Sequence, residues 1–197
     1  MIRSLPLALA ILLGGCSLSK PYPSKRYFYA DVERGGERPE LGRHVLRVET
    51  FEIAPAFAGK SLVSRVSEEE YVADYYAEFF SAPDTMVTSE LRQWLDDGGV
   101  FQAVLGPGSV MNVDRLLEGT IDQFYLDLRE PGVPRAVLSF YSRLIDDSGP
   151  EPEVIFNRRY SSSIPLTSTK PEDAVVGWTQ GLKQMFADLE MDLSKRL

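Results

Sequence analysis

The chain has 197 residues with 21 Lys+Arg against 29 Asp+Glu, a formal charge of −8, one cysteine and one histidine. That acidity disfavours nucleic acid, which is bound by basic patches, and one thiol with one imidazole cannot assemble a zinc site, which takes several such ligands. The length suits a single domain that buries enough surface to fold without a disulfide.

Chemistry appears first at the N-terminus. Arg3 precedes an apolar run, Leu5–Leu13, and then the small residues Gly14 and Gly15. Charged, apolar and small segments in that order make a secretory signal, and the run is far shorter than the roughly 20 residues that cross a bilayer as a helix. Leu13-Gly14-Gly15-Cys16 resembles a bacterial lipobox. That resemblance implies acylation of Cys16 and cleavage before it, with the acyl chains as the membrane anchor. Ser17 at the second mature position resembles an outer-membrane routing signal. The expected organisation is a signal peptide over 1–15, a lipidated tether over 16–26 and one domain over 27–197. Losing Arg3 takes the mature charge to −9, so attachment should come from lipid and not from attraction to anionic head groups.

Tyr27–Ala30 is a short strand candidate, and His44–Ile53 is the next, with Leu46 and Val48 on one face and Val45, Phe51 and Ile53 on the other. Ser61–Val66 and Glu70–Phe80 read as a hairpin. A helix follows, with Ser81 and Asp84 as a capping box, Pro83 in its first turn and Val87, Leu91, Trp94 and Leu95 along one face. Gly98-Gly99 stop it. After a short strand, Val100–Leu105, come three long ones: Arg115–Leu128, Arg135–Asp146 and Glu153–Ser162. The middle one is apolar on both faces, which predicts a central place in the sheet. Thr169 and Glu172 form a second capping box before a long helix striped by Val175, Trp178, Leu182, Met185, Phe186, Leu189 and Leu193. The sum is an α/β fold: a mixed sheet of about seven strands with two main helices packed on it.

No motif for catalysis stands out. His44 lies in a strand with no evident nucleophile beside it. Gly59-Lys60-Ser61 lacks the first glycine of a phosphate loop, that position being Ala54. Asp96-Asp97-Gly98-Gly99 lacks the calcium-loop spacing. Asp122, Asp127, Asp146 and Asp147 read as solvated strand ends, and Gly177 with Gly181 as a site of close helix approach. The expectation is no catalytic residue, no cofactor and no metal. Tyr71, Tyr75, Tyr76, Phe79 and Phe80 form an aromatic strand that is either core or a partner surface.

The run "EYVADYYAEFFSAPDTMVTSELRQWLDDGGVFQAV" resembles the central segment of the ABC-type transport auxiliary lipoproteins, the paraquat-inducible protein C-like group. Tyr75, Tyr76, Pro83, Leu91, Leu95, Gly99, Phe101 and Val104 carry the match, and Leu117, Glu118, Gly119 and Phe124 resemble the group's next strand. Many members have a His-Arg-Trp-like stretch where this chain has Glu78-Phe79-Phe80. The resemblance implies an α/β sandwich and a non-enzymatic subunit at the periplasmic face of the outer membrane. Its implied partners are a mammalian-cell-entry domain protein and the ABC transporter subunits of a lipid transport system, docked as a periplasmic conduit. Self-association is left open. The alternatives are a lipid-binding chaperone and, behind it, a periplasmic hydrolase built on His44 or a carboxylate.

Overall fold

The computed structural model describes residues 23–36 and 41–197; Cys16, the signal segment and most of the tether lie outside the described residues. Nine strands form one mixed sheet: β1 Arg26–Phe28, β2 Val45–Val48, β3 Glu52–Ile53, β4 Ser61–Arg65, β5 Tyr71–Phe79, β6 Ala103–Leu105, β7 Arg115–Asp127, β8 Arg135–Asp146 and β9 Glu153–Pro165. Two helices, α1 Pro83–Gly98 and α2 Pro171–Ser194, pack on it.

The organising strand is β7. Along one side it pairs with β8 over its full length, antiparallel. Along the other side β2, β3 and β4 are laid end to end, all parallel to it. From these the sheet extends outward, β6 beyond β2, and β5 then β1 beyond β4, while β9 closes the far side next to β8. The expected central position of the Arg135–Asp146 strand therefore belongs to β7, with β8 one place out. The second apolar face of β8 is only partly covered: Val137 is buried, whereas Tyr141 is exposed.

The expected strand His44–Ile53 splits at Glu49–Thr50, and the split changes the phase of its side chains. Leu46, Val48 and Phe51 all reach the helix-side core, because the break turns Phe51 over to the face of the first two. A one-residue slip inverts every later side chain of a strand. The Phe51 amide is then satisfied by the Thr88 hydroxyl of α1 at 2.9 Å. Its ring lies where a side chain on residue 119 would be, so Gly119 is the residue that lets β3 lean on β7.

Both helices begin differently from expectation. Neither predicted capping box forms: the caps are Ala82 and Lys170, without side-chain bonds. Pro83 and Pro171 each take the first helical position, which proline's fixed φ suits. The residue before a proline is held extended, so the cap falls immediately ahead of it rather than two residues earlier. Asp84, Glu172 and Asp173 in the first turns favour the helix dipoles instead. Gly99 ends α1 at φ 65°, a left-handed conformation that glycine adopts freely.

The predicted apolar faces of both helices are buried. α2 lies close to β8 and β9 because Gly177 and Gly181 remove side chains there: a Cβ on Gly177 would sit 2.7 Å from that of Ala136, and one on Gly181 2.7 Å from the Ser162 hydroxyl. Trp178 stacks on Phe124 with ring centres 5.0 Å apart, and Phe186 contacts both Trp94 and Phe140. A smaller cluster, Phe57, Tyr71 and Tyr125, covers one end of the reverse face under a single 3-10 turn, Pro55–Phe57.

Candidate functional site

The aromatic strand divides into core and surface. Phe79 is 1% exposed and contacts Phe124 and Trp178; its place in a partner surface is corrected to the core, since its side chain projects to the helix face. Tyr71 is partly exposed but held between Phe57 and Tyr125, with Arg65 over its ring. Tyr75, Tyr76 and Phe80 remain outward, Tyr75 at 68% and Phe80 at 72% exposure.

A bulge in β5 produces this outward set. Val63 pairs with Ala73, but Ser61 pairs with Glu78, so three extra residues are looped into β5. Asp74 organises the loop by accepting the amides of Tyr76 and Ala77 at 2.7 and 3.0 Å. Bulges of this kind re-aim side chains next to working surfaces.

β1 adds a residue that the sequence pattern missed. It runs parallel to β5, with Tyr27 opposite Glu78, and Tyr27 is 58% exposed in edge contact with Phe80 at 6.4 Å. Lys25 lies 4.9 Å over the Tyr75 ring and pairs with Glu78. The Lys60 ammonium donates to the Phe80 carbonyl at 3.1 Å. The sequence marks Tyr27 only as the start of a strand; its side-chain direction depends on a pairing with residues about 50 positions later.

After β1, the chain straps across α1. The amide of Val32 and the hydroxyl of Tyr29 both donate to the buried Glu90 carboxylate, at 2.7 and 2.6 Å. Burial, and then the bond to Glu90, push the Tyr29 hydroxyl up from 10.0 to about 12. Arg34 grips Glu190 of α2 through two nitrogens, and the same carboxylate takes the Trp94 indole N–H at 2.6 Å.

The candidate catalytic groups are engaged in structure. His44 Nδ1 lies 2.7 Å from Asp114. That carboxylate also accepts the Val45 amide at 2.8 Å, and the Asp114 amide returns to the Val45 carbonyl at 3.2 Å. The pair thus staples the start of β2 to the loop before β7. No serine or threonine hydroxyl meets the His44 ring among the described residues. The aspartates are kept apart: Asp122, expected at a strand end, lies inside β7 at its register shift and pairs with Arg159 and Ser139, while Asp127 pairs with Arg129 and Asp146 with Arg115. The fork of Arg129 holds the Asp127 carboxyl below its ordinary value. Asp147 borders a groove of about 730 Å³ with Asp114, Arg43 and Arg47.

An open groove of about 680 Å³ lies between the helices, with Trp94, Val100, Ala187 and Met191 as its apolar walls and Arg34, Lys183 and Glu190 among its charged ones. A second apolar surface lies in the loop between β6 and β7, where Val110 is 97% exposed beside exposed Met111. Arg47 fixes the loop's course through the carbonyls of Ser109 and Met111. No cluster of three or more His, Cys, Asp or Glu suited to a metal occurs among the described residues, and no described helix is long and apolar enough to cross a membrane.

No family model and no curated protein matches the sequence. The fold has solved counterparts. A Xanthomonas campestris protein of the DUF330 family superposes with TM-score 0.72 at 18% identity, covering 83% of this chain and 92% of that one. An uncharacterised protein gives 0.65 at 18% identity over 86% and 99%. PelC, crystallised as a dodecamer from Paraburkholderia phytofirmans, gives 0.50 at 13% over 81% and 94%. At these identities the likeness is one of fold.

Proposed function

We propose that this chain is a non-catalytic, lipid-anchored subunit of an intermembrane lipid transport system of the ABC and mammalian-cell-entry type, tethered through Cys16 at the periplasmic face of the outer membrane, where it docks a periplasmic conduit. The observation that carries the reading is a filled core combined with exposed apolar side chains. The rings of Trp178, Phe51, Phe79, Phe101, Phe140 and Phe186 are fully buried in the core, while Tyr27, Tyr75, Phe80, Val110 and Met111 are left outside. Exposed apolar surface of this kind marks interaction sites. Two such surfaces are on offer, the aromatic edge of β1 and β5 and the loop around Val110. His44 and the aspartates support the same reading, because His44, Asp127 and Asp146 are engaged at strand ends and Asp122 bonds Ser139 and Arg159 across the middle of the sheet.

The test is capture of the acylated protein from solubilised envelopes, followed by mass spectrometry. Recovery of a mammalian-cell-entry domain protein, lost in a folded Val110→Asp, Met111→Asp variant, is the expected result. Capture unchanged by apolar-surface substitutions counts against docking.

A second reading has one observation in its favour. The groove beside Trp94 and Met191 has the volume of a small ligand site and an apolar wall within a polar rim, which suits a chaperone that holds an amphipathic lipid itself. Lipid extracted in stoichiometric amount from the purified protein, and lost on Ala187→Trp, would favour it.

A further inference from the structure

We infer that the aromatic edge formed by Tyr27, Tyr75 and Phe80 seats in the membrane interface, which leaves the Val110–Met111 loop for the conduit. The inference rests on the lipid anchor proposed above. Ten peptide units join Cys16 to Arg26, a span of at most about 35 Å. The chain enters the domain at β1, which is itself the sheet edge, and Tyr27 and Phe80 touch there. Whatever holds Cys16 therefore keeps this edge within about 35 Å of itself. A tether of this length confers an effective concentration on the order of millimolar, so a weak surface contact suffices.

The chemistry of the edge fits a bilayer interface. Tyrosine rings, apolar in body and polar at the tip, concentrate at head-group level in membrane proteins. Phe80 supplies a fully apolar ring, and its neighbour across β1 is a tyrosine. Although the chain carries a charge of −8, this edge is locally balanced, with Lys25, Arg26 and Lys60 against Asp74, Glu78 and Glu172. The first two are neutralised by Glu78 and Glu172 and the third is bonded to a carbonyl. Such an edge meets phosphate-bearing head groups without the repulsion that the acidic surfaces elsewhere would bring.

The test uses the full mature lipoprotein, reconstituted in vesicles of phosphatidylethanolamine and phosphatidylglycerol. Cys16 is the sole cysteine, and acylation consumes its thiol, so Phe80→Cys and, separately, Val110→Cys each carry one environment-sensitive fluorophore. Both positions are exposed, and labelling leaves the core intact. The label at 80 is expected to shift to the blue, to be quenched by doxyl lipid, and to resist aqueous iodide several-fold better than the label at 110. Equal iodide quenching at the two positions overturns the inference. So does protection at 80 that appears only when a partner protein is added. Mass spectrometry of the same sample reads the anchor separately: acylated Cys16 with an iodide-exposed label at 80 overturns the edge assignment alone, whereas an unacylated Cys16 overturns the anchor and this inference with it.

Discussion

Trp178→Ala should cost about 3–5 kcal/mol, the range for emptying a large aromatic site in a packed interior. The indole is 1% exposed, lies 5.0 Å from the Phe124 ring and 5.6 Å from Phe79, and donates to the Val137 carbonyl at 3.2 Å. Its collapse is resisted on every side. Phe124 is fixed by β7, Phe79 by β5 and the helix above by the close contact at Gly177, so little can move in to fill the space. Domains of this kind have roughly 5–15 kcal/mol in total, and each kcal/mol shifts the melting point of a 150–250-residue domain by about 2–4 °C. The variant should therefore melt about 6–20 °C lower. Trp178→Phe separates the contributions: it keeps a ring on Phe124 and removes only the indole bond to the Val137 carbonyl, which stays within the β8 ladder, a loss of about 0.5–1.5 kcal/mol. Urea melts followed by far-UV circular dichroism and by the fluorescence of Trp94 give both numbers. A loss below about 1 kcal/mol for Trp178→Ala would mean that α2 does not present this face to the sheet.

Gly119→Ala places a methyl group in the Phe51 ring and should cost about 1–3 kcal/mol as overpacking; a stability equal to that of the parent in urea melts would show that β3 does not lean on β7 at this point. Tyr29 has its hydroxyl raised from 10.0 to about 12, so the folded state favours the protonated form. The stability it contributes is complete below pH 10 and is lost as pH rises through 12, as the unfolded chain gives up the proton first. Tyr29→Phe should flatten the fall of the urea midpoint across that window, and identical slopes for variant and parent would remove the strap's role. Cys16→Ala should abolish palmitate labelling and release the protein from membranes washed in high salt while circular dichroism stays unchanged; continued labelling would end the lipoprotein reading.

The sequence exposed most of this architecture where a single period governs a segment. The stripe on α2 and the face of Val87, Leu91, Trp94 and Leu95 on α1 are local patterns, and the packing follows them. The ends of β8 match their expected limits because turn residues bracket the strand, Pro131-Gly132 before it and Ser148-Gly149 after it. What stayed hidden depends on distant partners. The break at Glu49–Thr50 exists because the Phe51 amide meets Thr88 and its ring meets Gly119, neither of which the local run announces. The helix caps moved because proline's geometry outweighed the capping-box pattern. In the aromatic strand, strict alternation separates Phe79 from Phe80 but puts Tyr71 and Tyr75 on the face of Phe79; the three-residue bulge at Asp74 inverts that phase, and the bulge is a property of the pairing with β4. Tyr27 joined the surface only through β1, whose three residues carry almost no periodic signal.

Complementation of detergent sensitivity in a deletion strain addresses the central claim most directly. Two variants are compared, each checked for expression, folding and membrane retention: His44→Ala with Asp122→Ala and Asp146→Ala, and Val110→Asp with Met111→Asp. If the protein is a docking subunit without chemistry of its own, the first restores envelope integrity and the second does not. A folded, membrane-bound first variant that fails to complement, beside a second that succeeds, would contradict the account and place the function in the His44 and aspartate side chains.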